Sequence, residues 1–104
     1  MDTLSPQQLK EKLAAGGFTL LDVRQPDEVA LAALPGALNI PMNELPQRVA
    51  ELDKTLPVIA FCHHGMRSEM AARFLVRSGF ADVSHLGGGI DAWSLTIDPA
   101  TPRY

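Results

Sequence analysis

The chain predicts an α/β fold with a mostly parallel sheet covered by helices on both faces, and two observations carry that expectation. First, FTLLDV at residues 18–23 and VIAF at residues 58–61 are short apolar runs without helical periodicity, the pattern of strands buried on both faces. Second, segments with helix start and stop signals lie before, between and after them, so strands and helices alternate as they do when helices cross over a parallel sheet. In such sheets ligands bind beyond the carboxyl ends of the strands.

The first helix is expected in LSPQQLKEKLAAGG: Ser5 caps it, Pro6 suits its first position, Gln8 completes a capping box, Leu4 packs on Leu9, and Gly16 ends it. The run at 18–23 follows as a central strand. After Pro26, Asp27 and Glu28 suit the first turn of a short helix, which fails by LPGALNIP. A brief strand is expected over 37–40. Asn43 is then expected to cap ELPQRVAEL, with Pro46 in the first turn and Leu45, Val49 and Leu52 on one face.

The strand at 58–61 ends on Cys62 and leads through a loop to the helix MRSEMAARFLVRSG. Met66, Met70, Ala71, Phe74 and Leu75 are expected on its apolar face, with Glu69, Arg73 and Arg77 as a polar ridge and Gly79 as its cap. ADVSHL gives a last short strand. GGGIDAWS then supplies a glycine turn and a short amphipathic segment with Ile90 and Trp93.

The length, 104 residues, suits one compact domain over 1–104, with residues 95–104 as a tail that is loosely held unless it docks. Charged residues make up 20% of the chain and the formal net charge is −3, so the clustered cations of a nucleic-acid or anionic-membrane footprint are lacking. No segment is both long and uniformly apolar, which excludes a spanning helix. The start MDTLSPQQL lacks the features of a secretory leader, and a single cysteine forms no internal disulfide. A reducing cytoplasm is therefore the expected compartment.

The chemistry concentrates in FCHHGMRS, residues 61–68, which places the one cysteine between a strand end and a helix start. A thiolate at such a position is stabilised by unpaired helix N–H groups and by nearby cations such as Arg67 or a protonated His63 or His64. Gly65 allows backbone angles that turn successive N–H groups inward around an anion. Arg67 offers a planar fork of donors and Ser68 a hydroxyl. A strand-end cysteine standing alone is usually a core thiol, but Gly65, Arg67 and Ser68 following at once favour a reactive one.

A metal site would recruit Cys62, His63, His64 and perhaps His85, but adjacent loop residues are expected to splay apart and no C-x-x-C or spaced histidine pair is present. No metal and no cofactor is expected. For the two histidines, exposed residues that tune local charge and direct substrate contacts both remain open.

Three blocks resemble the rhodanese family of single-domain sulfurtransferases: LLDVRQPDE followed by LPGALNIP, then FCHHGMRS, then LGGGIDAW. The resemblance implies a parallel five-stranded sheet with helices on both sides. It implies a ping-pong reaction in which Cys62 holds a sulfane sulfur as a persulfide, with thiosulfate as a usual donor and cyanide or a thiol, including one on a protein, as acceptor. Through it His63, His64, Gly65, Met66, Arg67 and Ser68 become substrate-binding, and Asp22 and Arg24 supporting residues near the loop. Phosphatases of similar fold use C-x5-R; Cys62 to Arg67 is C-x4-R, and a tighter ring of donors suits a single sulfur better than a tetrahedral oxyanion.

One departure is plain. Where the family commonly carries Gly-His before I-P-G-A, this chain has Ala32 and Ala33. If that glycine is left-handed, Ala32 is strained or the turn is rebuilt. The apolar segment at 29–34 is read as a longer packed helix or, alternatively, as a docking patch in a rhodanese-fold relay module with little free turnover. Asp22 and Arg24 are read first as structural, with Arg24 pairing Glu28. Trp93 is expected in the core or as a lid, and the glycines at 87–89 as a turn.

Overall fold

The computed structural model describes residues 1–104. Its elements alternate as β1 (Asp2–Leu4), α1 (Pro6–Ala15), β2 (Thr19–Asp22), α2 (Pro26–Leu31), β3 (Leu38–Asn39), α3 (Leu45–Arg48, flanked by 3₁₀ turns), β4 (Val58–Phe61), α4 (Met66–Arg77), β5 (Val83–Leu86) and α5 (Gly89–Thr96). The five strands form one sheet in the order β1-β5-β4-β2-β3. All four pairings are parallel, so each connection crosses over the sheet, and each carries a helix.

The apolar runs are buried on both faces because alternate residues feed two cores. On one face Leu21, Val58, Ala60 and Cys62 pack with Leu45, Ala71, Ala72 and Leu75 from α3 and α4. On the other, Leu20, Ile59 and Phe61 pack with Leu9, Ile90 and Trp93 from α1 and α5. The alternation ends with Phe61 on the α1–α5 side and Cys62 on the α3–α4 side.

The Ser5–Gln8 capping box is present and Gly16 N–H closes α1 on Lys12. Elsewhere the local elements differ from expectation. Residues 2–4 form an edge strand with no sequence pattern of its own, held by three-residue pairing to β5. Asn43 caps no helix; its side chain accepts from Gln25, and the segment breaks into a four-residue α3 between two 3₁₀ turns. Met66 and Met70 are 80% and 57% exposed, because Ser68, Ala71, Ala72 and Leu75 supply the buried face of α4 instead. The segment at 29–34 is not a longer helix: α2 stops at Leu31, and Ala32 is buried in extended backbone (φ −159°) without strain. Trp93 is a core residue.

The tail docks. Ser94 donates to the carbonyl of Thr101, which is buried, and Tyr104 returns to the end of β2, where it meets Arg24 and Glu28. Of the two alternatives left open for residues 95–104, a loose tail or a docked one, these bonds describe the docked one. No helix is long and apolar enough to cross a membrane.

Candidate active site

β4 ends at the carboxyl edge of the sheet, and its next residue, Cys62, is buried at the N-terminus of α4. Gly65 is the N-cap of that helix in a left-handed conformation (φ +112°), which a side chain would strain. Its N–H donates to Cys62 Sγ at 3.0 Å, and the N–H of Ser68 points to the same sulfur at 3.4 Å. The sulfur thus does for α4 what a side-chain oxygen does at an ordinary N-cap. The amides of Met66 and Arg67 lie in the same first turn, where no intrahelical acceptor exists.

The loop is clamped from behind by α5. Gly88 and Gly89 turn left-handed, and the first amides of α5 then reach the loop: Ile90 N–H donates to Cys62 O at 2.9 Å and Asp91 N–H to His63 O at 3.1 Å. A Cβ on Gly89 would fall on the His63 and Cys62 carbonyls. The glycine turn expected at 87–89 therefore doubles as a brace for the cysteine loop.

A family model described as the Rhodanese-like domain matches residues 5–96. The chain belongs to the rhodanese-like family. It is 35% identical over 95 residues to a sulfurtransferase of Allochromatium vinosum, with 90% of this chain and 89% of that protein covered. It is 34% identical over 100 residues to the thiosulfate sulfurtransferase GlpE of Ectopseudomonas mendocina, covering 96% and 91% of the two. The crystal structure of a rhodanese-like domain protein from Staphylococcus aureus superposes with a TM-score of 0.85 at 28% identity, covering 100% of this chain and 99% of that one.

Within this rhodanese-like site the charged residues are placed otherwise than the sequence led one to expect. Arg67 turns to Glu28, with Nη1–Oε1 2.6 Å and Nη2–Oε2 2.8 Å. Those bonds hold the Glu28 carboxyl down at about 2. Arg24 does not pair with the Glu28 carboxylate; fully buried, it donates Nε and Nη2 to Asp22 at 2.9 and 2.7 Å, and Nη2 also to Ala32 O at 2.8 Å. The reason is reach: Asp22 and Arg24 flank Val23 at the end of β2, so both oxygens of the carboxylate face the fork. Arg24 also lies over the Phe61 ring, 5.4 Å from its centroid.

His63 and His64 do not splay. Their rings stack at 3.8 Å, and the other face of His63 stacks on Tyr104 at 3.8 Å and 9°. Burial, with His64 adding to it, holds His63 below the usual imidazole range, so it is not the extra cation expected beside Cys62. His63, His64 and Asp91 place ligand atoms within 4.8 Å of one another. They fit a metal poorly, because Asp91, the one carboxylate of the three, is already engaged by Arg103 Nε at 2.9 Å.

Ser68 is buried, its hydroxyl 3.6 Å from Cys62 Sγ and donating to Gly65 O at 3.1 Å. Behind it stands His85, with Nδ1 3.3 Å from Ser68 Oγ and Nε2 3.0 Å from Thr3 Oγ1. Burial lowers the proton affinity of His85, so it is held as a neutral ring between two hydroxyls. His85 enters the sequence reading only as a doubtful metal ligand, and Arg103 and Tyr104 are not singled out there at all, yet all three lie against this site. A histidine inside the apolar run VSHL was the available signal for the first; the other two lie beyond the region that the family model matches, and only the paired Arg103 and Tyr104 at the end of the tail hinted at them.

Proposed function

We propose that the chain is a thiosulfate-type sulfurtransferase that carries sulfur on Cys62. The observation behind this reading is the sulfur's position, accepting the Gly65 amide at 3.0 Å in the first turn of α4 within a loop of C-x4-R length. The Cys62 thiolate attacks the outer sulfur of thiosulfate, the S–S bond of the donor breaks, and its electron pair leaves with sulfite: Cys–S⁻ + S–SO₃²⁻ gives Cys–S–S⁻ + SO₃²⁻. The outer sulfur then passes to cyanide or a thiol, which restores the thiolate. Covalent storage divides one transfer into two displacements at sulfur, and amide donors around the loop offset the anionic charge in each.

No second cysteine is present to resolve the persulfide, so the acceptor is external. A reducing compartment such as the cytoplasm suits a thiol of this kind. Phosphoryl or arsenate chemistry ranks lower, because the loop is one residue shorter than C-x5-R. A relay role, with sulfur passed between proteins and slow free turnover, is the second reading: Glu28 takes up the charge of Arg67, which leaves the cleft less attractive to a small dianion.

The test is the mass of the intact chain after incubation with thiosulfate. A gain of one sulfur atom, absent in Cys62→Ser and removed by cyanide, is expected. An unmodified wild-type chain under those conditions would refute the thiosulfate reading and favour the relay.

A further inference from the structure

The transfer reading requires an acceptor that reaches a buried sulfur, and the wall it must pass is unusual. Cys62 lies in a cleft of about 330 Å³ bounded by His63, His64, Met66, Arg67 and Met70. Met70 also lines a neighbouring groove of about 380 Å³, whose other walls include Met42, Pro46 and Phe74, with Arg73 and Arg77. The two spaces therefore share one side chain, and Met66, Met70 and Phe74 follow each other at i, i+4 along α4. Methionines at a surface give a polarisable contact that adapts to its partner.

The charges of the groove have one sign. Both charged residues lining it are arginines; Arg73 has Glu69 as its partner, whereas Arg77 is exposed and enters no ion pair. The nearby Glu44 and Glu51 are both held by Arg48. An apolar groove with an uncommitted guanidinium fits a bulky apolar side chain followed by a carboxylate. A free small thiol would fill the cleft and leave the groove unused.

Resting on the transfer reading above, we infer that the groove beside α4 docks a thiol-bearing protein acceptor through an apolar residue with an adjacent carboxylate, which leads the partner's cysteine past Met70 to Cys62. In the transfer the acceptor thiolate bonds to the outer sulfur of the persulfide, the Cys62 S–S bond breaks, and its electron pair stays on Cys62: RS⁻ + Cys–S–SH gives RS–SH + Cys–S⁻. Eight residues of helix separate Met66 from Phe74, about 12 Å at 1.5 Å per residue, which an extended segment spans in about four residues. This places the docking surface on the α3–α4 side and not on the segment at 29–34, where Leu31 is the one large exposed apolar side chain.

The probe is a hexapeptide with cysteine four residues ahead of a Phe-Asp pair, and a non-reacting form with serine for the cysteine. Binding of the serine peptide is read from methionine methyl signals, of which the chain has four. Shifts of Met42 and Met70, weakened about tenfold in Kd by Pro46→Asp and by Arg77→Glu, are expected, as is loss of binding when serine replaces the peptide's Phe. With the cysteine peptide, sulfur should leave loaded Cys62 about tenfold faster than to N-acetylcysteine amide at equal concentration. No methyl shift, or equal affinity for the peptide lacking Phe, overturns the docking inference. Turnover from thiosulfate to cyanide by the wild-type chain tests the transfer reading separately, so failure of one is distinguishable from failure of the other.

Discussion

Arg67 and Glu28 form a two-point ion pair, Nη1–Oε1 2.6 Å and Nη2–Oε2 2.8 Å, across 39 residues of chain. The pair ties the first turn of α4 to the first turn of α2, so it joins the cysteine loop to the end of β2. Tyr104 donates to the same carboxylate at 2.9 Å and the Gln25 N–H at 3.1 Å, so Glu28 accepts four donors from three residues. A guanidinium expected to face the sulfur is thereby committed to holding the rim together.

Acid should undo this pair in a defined window. The Glu28 carboxyl is held at about 2 against an ordinary 4.5, chiefly by its bonds to Arg67. A carboxyl depressed in the folded state contributes stability that is complete above its unfolded value and is lost as pH falls through the folded one. Wild type should therefore exceed Glu28→Gln in unfolding free energy at pH 6, with the gap closing between about pH 4.5 and 2. Urea denaturation of both chains across that range measures it; a gap independent of pH would show that the ion pair is not its source.

The buried pair of Asp22 and Arg24 answers to a different cost. Both side chains are essentially inaccessible, at 1% and 0% exposure, so removing the guanidinium leaves a buried carboxylate without a countercharge, held only by the backbone N–H of residue 24 at 3.0 Å. Arg24→Leu should destabilise by about 3–5 kcal/mol, the usual loss when one member of a buried pair is deleted. Restoration of most of that loss in the double variant Asp22→Asn with Arg24→Leu would confirm the stranded charge as its cause. Denaturant midpoints of the three chains decide the matter.

The glycine brace predicts a separation of stability from reactivity. Gly89 sits at φ +63° with its missing Cβ directed at the carbonyls of Cys62 and His63. Gly89→Ala must either shift α5 or push the loop, and the left-handed backbone adds about 1–2 kcal/mol of strain. Alkylation of Cys62 by iodoacetamide should change rate by more than the loss of stability accounts for, because the displaced carbonyls belong to the cysteine itself and its neighbour. An unaltered alkylation rate in a folded Gly89→Ala chain would contradict the brace.

The parallel sheet was legible because burial on both faces leaves a plain trace, apolar runs such as LLDV and VIAF that cannot form an amphipathic helix. The Ser5 cap and the glycine turns were legible because backbone geometry selects those residues locally. The edge strand at 2–4 was not, since three residues gain their structure from pairing with β5 and from nothing in their own pattern. Partners of the arginines were equally hidden. Arg24 faces Asp22, two residues away, and Arg67 faces Glu28 because α2 and α4 start at the same edge of the sheet, a proximity set by strand order. Met66 and Met70 were assigned inward by helical spacing, which predicts a face but does not say how wide the buried part of it is.

The docked tail yields the last prediction, in which two substitutions of one residue should part company. Tyr104 contributes a ring stacked on His63 and a hydroxyl that accepts from Arg24 Nη1 at 2.9 Å and donates to Glu28. Tyr104→Phe keeps the ring and removes both bonds, at a cost of about 1 kcal/mol for a half-exposed hydroxyl. Tyr104→Ala removes the ring as well and opens His63 to water. Burial is the main reason that His63 lies below the usual imidazole range, and hydration favours the charged form, so alanine should raise the His63 titration midpoint while phenylalanine leaves it low. Ring-proton NMR titrations of the two variants and wild type read this directly. Equal midpoints in all three would mean that His64 and the loop, and not the tail, keep that imidazole neutral.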